Sequence, residues 1–331
     1  MITIKLSNVE AYAGGVNYDS YMTSYFADFA FEGWPYITGG GGQYDGDQLI
    51  LLDNLAGRNT KTIVMDGTSF SYHLAQHTMS GTLTTIRLGT LGDSYNTDGS
   101  FKTDGTGHIV NVSSPITISG LSIANGVGTR GDFHSLTAGL MGSVSTGNHS
   151  ADASILRQAL TSEAISFSGS AGHDTFTGTR FSDVVRGAAG NDKLNGGAGH
   201  DKIYGDAGKD KVYGGVGSDK LWGGSSADTF IFKSIKESTV KASGRDTIND
   251  FSARQKDKID LRSIDANTTK RGNQAFSFIG NDGFHNQAGE VRFDKIGKNT
   301  FVYGDVNGDG VSDFSIHLKG ALDVTKAYFY L

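Results

Sequence analysis

The chain has 331 residues, of which 48 are glycine, two proline and none cysteine, and its formal net charge is −6. The lack of cysteine excludes disulfides, thiolate metal sites and cysteine nucleophiles, and the acidic balance argues against a broad electrostatic grip on nucleic acid. No stretch approaches the ~18 apolar residues of a membrane span.

The N-terminal stretch MITIKLSNVEAYAGG alternates Ile2, Ile4 and Leu6 like a strand and lacks the apolar core of a secretory leader. Residues 1–166 as a whole predict an α+β domain, an antiparallel sheet with helices packed on one side. Asp19 is expected to open a helix in which Tyr18, Tyr21, Met22, Tyr25, Phe26 and Phe29 recur at helical spacing. Extended segments follow in KTIVMD, TSFSYHL and TLTTIRLG. A second helix is predicted over GDFHSLTAGLMGS, with Phe133, Leu136, Leu140 and Met141 on one side, and a third over SADASILRQAL with Ser150 as its cap.

One cluster in this domain invites a chemical reading. The stretch YHLAQHTMSG holds Tyr72, His73 and His77. A zinc protease needs two histidines one helical turn apart with a glutamate between them. Here Leu74 occupies the glutamate position and the residues around it are β-formers, so a protease is not expected. The serine-hydrolase elbow GxSxG and the phosphate loop GxxxxGK[ST] are also missing from residues 1–168, and no enzymatic role is predicted.

From Gly169 to Ile231 the chain reads as seven consecutive nonapeptides. Glycine holds the first position of each. Aspartate holds the sixth, at Asp174, Asp183, Asp192, Asp201, Asp210, Asp219 and Asp228, and a large apolar residue holds the eighth, from Phe176 to Phe230. The pattern resembles the calcium-binding repeat of RTX proteins. That resemblance implies an all-β parallel roll over 167–232, with two nonapeptides per turn, the eighth-position side chains stacked inside, and aspartates eighteen apart facing each other. Carboxylates together with carbonyls of the glycine loops, at Gly190, Gly199, Gly208 and Gly217, would supply the six or more oxygens that Ca²⁺ prefers. Phe181 and Ser226 replace the fourth-position glycine, so the second and last copies are expected to bind less well.

Residues 233–331 form the third expected domain, a β-rich terminal module. The phrases DTINDF and DKIDL resemble the module that follows the repeats in serralysin-type secreted proteins, and the stretch KAYFYL resembles a type I secretion terminus. Within the module, DVNGDGVSD places Asp305, Asn307, Asp309 and Asp313 at positions 1, 3, 5 and 9 of a calcium loop. Ile316 stands where an EF-hand carries glutamate, and a plain polar turn is the equal alternative. These resemblances imply an extracellular protein exported by type I machinery and folded outside by calcium.

VNYDSYMTSYFADF, HTMSGTLTTIRLG and GDFHSLTAGLMGS fall in the order of the landmarks of HasA-type hemophores, and residues 1–165 resemble that family. The resemblance implies that Tyr72 ligates ferric heme iron, that His77 hydrogen-bonds Tyr72, and that His134 and Met141 line the far side of the pocket. An outer-membrane heme receptor would be the partner. The early stretch EGWPYITGGGG has no histidine, which leaves iron to Tyr72 alone, with Trp34, Tyr36 or another residue covering the opposite face. The alternative is a calcium-dependent surface or adhesion protein that keeps this fold without heme.

Overall fold

The computed structural model describes the chain except for residues 9–13, 28, 32–34, 41–44, 54–56, 58, 74, 76–77, 97–99, 127–130 and 142–152. It divides into two compact units, Met1–Glu163 and Ala164–Leu331.

The first unit runs β1 (Ile2–Leu6), α1 (Tyr18–Ala27), β2 (Tyr36–Thr38), β3 (Asp45–Leu52), β4 (Lys61–His73), β5 (Thr78–Thr90), β6 (Ser113–Asn125), α2 (Asp132–Met141) and α3 (Ser154–Leu160). Its strands pair antiparallel in the order β1-β6-β5-β4-β3-β2. Alternation in the sequence becomes alternation of burial: Ile2, Ile4 and Leu6 point inward while their neighbours are exposed. Helix α1 starts one residue before the expected Asp19, because Asn17 is its cap: the Ser20 N–H donates to Asn17 Oδ1 at 3.0 Å. Tyr25 of α1 donates its hydroxyl to the Thr62 and Gly89 carbonyls, at 2.6 and 3.1 Å, which ties the helix to β4 and β5. Ser150, expected to cap the third helix, lies outside the described residues.

Helix α2 packs on β5 and β6, and α3 packs on α2. A glycine makes the first of these contacts possible. Gly81 sits at φ +127°, and a Cβ there would meet the Phe70 ring at 2.7 Å. With that space open, Phe70 lies flat and stacks on Phe133 of α2, with ring centroids 4.8 Å apart. Phe133, Leu136 and Leu140 are buried as the helical pattern requires.

The second unit winds into two parallel sheets that continue past the repeats. One contains β7 (Ile165–Ser168), and the chain then alternates between sheets through β8 (Thr175–Thr177), β9 (Val184–Arg186), β10 (Lys193–Gly199), β11 (Lys202–Tyr204), β12 (Lys211–Gly217), β13 (Lys220–Trp222) and β14 (Thr229–Ile231). Partners are eighteen residues apart, Leu194 with Val212 and Ile203 with Leu221. The eighth-position side chains, Phe176 to Phe230, are all 2 % exposed or less and form the core.

Within the unit Ala164–Leu331 the stacking of the repeats continues into the later residues. β15 (Thr247–Ile248) stacks on β13 and β16 (Lys258–Asp260) on β14, in the same parallel register. After β17 (Ser277–Phe278), the hairpin strands β18 (Glu290–Ile296), β19 (Asn299–Asp305) and β20 (Phe314–Lys319) extend one sheet, and β21 (Phe329–Tyr330) closes the other. Ile248, Ile259, Leu318 and Phe329 repeat the inward eighth-position role in these later turns. Among the described residues no helix is long and apolar enough to cross a membrane.

Two substitutions test this packing. Gly81→Ala should cost more than about 1 kcal/mol, since it combines a left-handed backbone with a clash on Phe70. Ile203→Ala, which opens a cavity in a core one side chain thick, should cost about 2–5 kcal/mol. Chemical denaturation reads both. Wild-type midpoints would refute the packing described.

Candidate functional site

The aspartates of the roll form two ladders. In one, the Asp174 N–H donates to Asp192 Oδ1, Asp192 to Asp210 and Asp210 to Asp228, at 2.8 to 2.9 Å. In the other, Asp183 donates to Asp201 at 2.7 Å and Asp201 to Asp219 at 2.8 Å. One carboxylate oxygen is thus used to lock successive turns together. The second oxygen, Oδ2, is buried without a hydrogen-bond partner in Asp192, Asp201, Asp210, Asp219 and Asp228. An unpaired buried carboxylate oxygen is costly, and its repetition marks positions built for something the protein chain does not itself supply.

The loops around these oxygens are crowded with backbone carbonyls. A Cβ on Gly208 would lie 1.4 Å from the Gly190 carbonyl oxygen, and one on Gly217 would lie 1.5 Å from that of Gly199. Only glycine permits this stacking, and each of these fourth-position glycines is left-handed. Ser226 adopts the same conformation at φ +90°, so the last repeat keeps the loop shape without glycine. Phe181 does not.

Asp246 was not singled out from sequence, yet it continues the second ladder. The Asp219 N–H donates to its Oδ1 at 2.8 Å, and its Oδ2 is again buried without a partner. Asp257 accepts from the Asp228 N–H at 3.1 Å and ends the first ladder, its Oδ2 taken by the Ser252 N–H at 2.8 Å. The available signal was the D-x-I spacing of DTI and DKI, which preserves positions six to eight although the intervals lengthen to 27 and 29 residues.

In the first unit, the structure brings Tyr72, Met79 and His134 together. Tyr72 on β4 pairs with Met79 on β5. The Met79 N–H donates to His134 Nδ1 on α2 at 3.3 Å. Tyr72 and Met79, directly opposite in this pairing, share one face of the sheet, beyond the irregularity between Thr68 and Ser71. His73 lies on the other face, where its Nε2 is 2.8 Å from Ser80 Oγ. Met141, half-buried, ends α2. His77 and Trp34 lie outside the described residues. Tyr36 is 48 % exposed and edge-on to Phe101.

Residues 103–329, more than half of the chain, match the family described as Peptidase M10 serralysin C terminal. The chain belongs to that family. Curated protein sequences yield no match. Among solved structures, a subunit of the mannuronan C5-epimerase of Azotobacter vinelandii is similar at 22% identity and a TM-score of 0.35, over 49% of this chain and 93% of that one. The holo hemophore HasA of Yersinia pestis is similar at 17% identity and a TM-score of 0.35, over 49% and 89%. TM-scores of this size do not establish a shared fold.

Membership in the serralysin C-terminal family implies calcium, and the donor set fits that ion. The donors are hard oxygens, since a Cβ on Gly187 would meet both Asp192 Oδ2 at 2.3 Å and the Gly205 carbonyl oxygen at 2.7 Å, and the chain has no cysteine to favour a softer metal. The 305–313 loop is different. Asp305 accepts N–H groups of Asn307, Gly308 and Gly310 at 3.1, 2.6 and 2.9 Å, and Asp313 Oδ2 accepts the Val306 N–H at 2.7 Å. Asn307 and Asp309 likewise accept amides two residues on, both at 2.8 Å. This loop is knit by its own backbone. Among the described residues no three His, Asp or Glu side chains form a ready metal cage.

Burial pushes the carboxyls of Asp192 and Asp201 up to about 8, that of Asp228 to about 7, and those of Asp210 and Asp219 to about 6, with neighbouring carboxylates adding to the effect. Asp246 is raised well above the carboxylate range for the same reasons. Folded-state values above the ordinary one mean that the metal-free roll is stabilised by protonation. That stabilisation is complete below about pH 4 and is lost as pH rises through 6 to 8. In excess chelator, the thermal midpoint of the roll should therefore be higher near pH ~5 than near pH ~8.5, whereas calcium affinity should rise with pH as protons cease to compete. Equal midpoints at the two pH values would contradict the assignment.

Proposed function

We propose that the protein is a secreted heme-capturing protein whose roll folds on calcium after export. The observation that carries the heme half of this reading is that Met79 pairs with Tyr72 and gives its N–H to His134, the two residues that the hemophore resemblance assigns to iron and pocket. A phenol has a pKa near ~10 in water. Ferric iron favours its ionised form, and tyrosinate is a known heme ligand. Heme would supply an iron(III) centre for that oxygen when bound. Phe70 and Phe133, both buried, stack on each other and hold α2 on the sheet.

His134 has a defined role in this scheme. Its Nδ1 accepts a backbone N–H, so the neutral ring carries its own proton on Nε2. Such a ring has no lone pair at Nε2 to give to iron. It serves as a hydrogen-bond donor within the pocket and anchors α2 over the β4–β5 hairpin. His77 would tune Tyr72 from the hairpin side. No bond is made or broken in this role: heme is held and passed to an outer-membrane receptor, and type I machinery exports the chain. The missing histidine in EGWPYITGGGG favours one second reading, a calcium-dependent surface or adhesion protein without heme.

Hemin titration of the purified protein separates the two. Wild type should give a tyrosinate-type ferric spectrum, and Tyr72→Phe should abolish it. His134→Ala, which removes a supporting hydrogen bond, should weaken binding about 10-fold or more. A hemin spectrum unchanged by the wild-type protein would leave the surface-protein reading.

A further inference from the structure

The seven repeats are alike in sequence, but the structure separates the first two from the other five. In repeats three to seven the second position is left-handed, at Ala188, Gly197, Asp206, Gly215 and Gly224, with φ between +70° and +97°. The fourth position is left-handed as well, from Gly190 at +126° to Ser226 at +90°. Alternating left-handed residues turn successive peptide groups so that carbonyls can gather on one side. In repeats one and two neither position is left-handed: Ser170, Gly172, Thr179 and Phe181 are all absent from that conformation.

The aspartates differ in step with the loops. Asp174 Oδ2 accepts the Ser170 N–H at 2.6 Å and its hydroxyl at 2.9 Å. Asp183 Oδ2 accepts the Thr179 N–H at 2.6 Å and its hydroxyl at 3.0 Å. Each hydroxyl oxygen then accepts an amide two residues on, from Gly172 at 3.2 Å and Phe181 at 3.0 Å, which closes a compact turn. Asp183 Oδ1 is used too, by the Ile165 N–H at 2.6 Å. These two carboxylates therefore have internal donors where the later ones have none.

We infer that the opening turn of the roll is a metal-free cap, and that cations are confined to the carboxylates from Asp192 to Asp246. Ser170 and Thr179 do with O–H and N–H donors what a cation does further along. On the first ladder the cap at Asp174 is matched at the far end by Asp257, whose Oδ2 takes the Ser252 N–H, leaving Asp192, Asp210 and Asp228 orphaned between them. On the second ladder the cap at Asp183 precedes Asp201, Asp219 and Asp246. A stacked-repeat structure needs end units that satisfy themselves, and here that need is met by replacing the second-position glycine with a hydroxyl residue. The sixth-position aspartate of the motif is thus not by itself a metal ligand in this chain.

The inference rests on the calcium reading of the roll, and one experiment tests both separately. Crystals of the wild-type chain grown with calcium, measured at long wavelength, should show anomalous peaks beside Asp192, Asp201, Asp210, Asp219, Asp228 and Asp246, and none beside Asp174 or Asp183. Native mass spectrometry of the full chain should count the same number of ions for Asp174→Asn/Asp183→Asn as for wild type, and fewer for Asp201→Asn/Asp210→Asn. A peak coordinated by Asp174 or Asp183, or ions lost from the first double variant, would overturn the inference while leaving the calcium reading intact. No peak anywhere would overturn the calcium reading and the inference with it.

Discussion

The second unit depends on one constraint: a row of buried carboxylate oxygens is held inside glycine loops where the protein chain offers them no hydrogen-bond donor. The first oxygen of each aspartate is an ordinary structural acceptor, locking one turn to the next. The second, from Asp192 to Asp246, is left bare. Loop carbonyls pack closely along the same loops, which only glycine permits at Gly208 and Gly217. A core only one side chain thick has little stabilisation with which to offset several buried charges. Cation binding and folding are then coupled.

The roll was the most legible part of the sequence, because glycine, aspartate and an apolar residue recur in fixed register. Seven copies determine the eighteen-residue pairing of Leu194 with Val212 without reference to anything else. What the register could not convey is how each loop is satisfied. Asp174 and Asp192 look equivalent as letters, yet the residue four before each, Ser170 against Ala188, decides whether its Oδ2 has a donor. Asp246 stayed hidden for the opposite reason: its role survives while its spacing does not. The roll also runs on into a tail whose strands are too short and irregular to announce themselves as further turns.

The first unit was legible at the level of elements and less so at their boundaries. α1 begins one residue before Asp19, since Asn17 is the side chain that meets a free amide of its first turn. The proposed heme side was visible only through the order of three weak stretches. The contacts that assemble it join residues far apart: Gly81 admits Phe70, Phe70 stacks on Phe133, and the next residue of that helix, His134, takes the amide of Met79 opposite Tyr72. Periodicity predicts that α2 has an apolar side, but it does not predict which ring will lie over which glycine.

The central claim is that unsatisfied carboxylates make the roll conditional on a cation. Far-UV circular dichroism of the intact chain at neutral pH, followed from excess chelator through a calcium titration, tests it most directly. The account predicts that strand signal is partly lost in chelator, since the first unit keeps its own sheet, returns cooperatively with calcium, and melts at a temperature that rises with calcium concentration. The same spectrum and the same midpoint with and without calcium would contradict it.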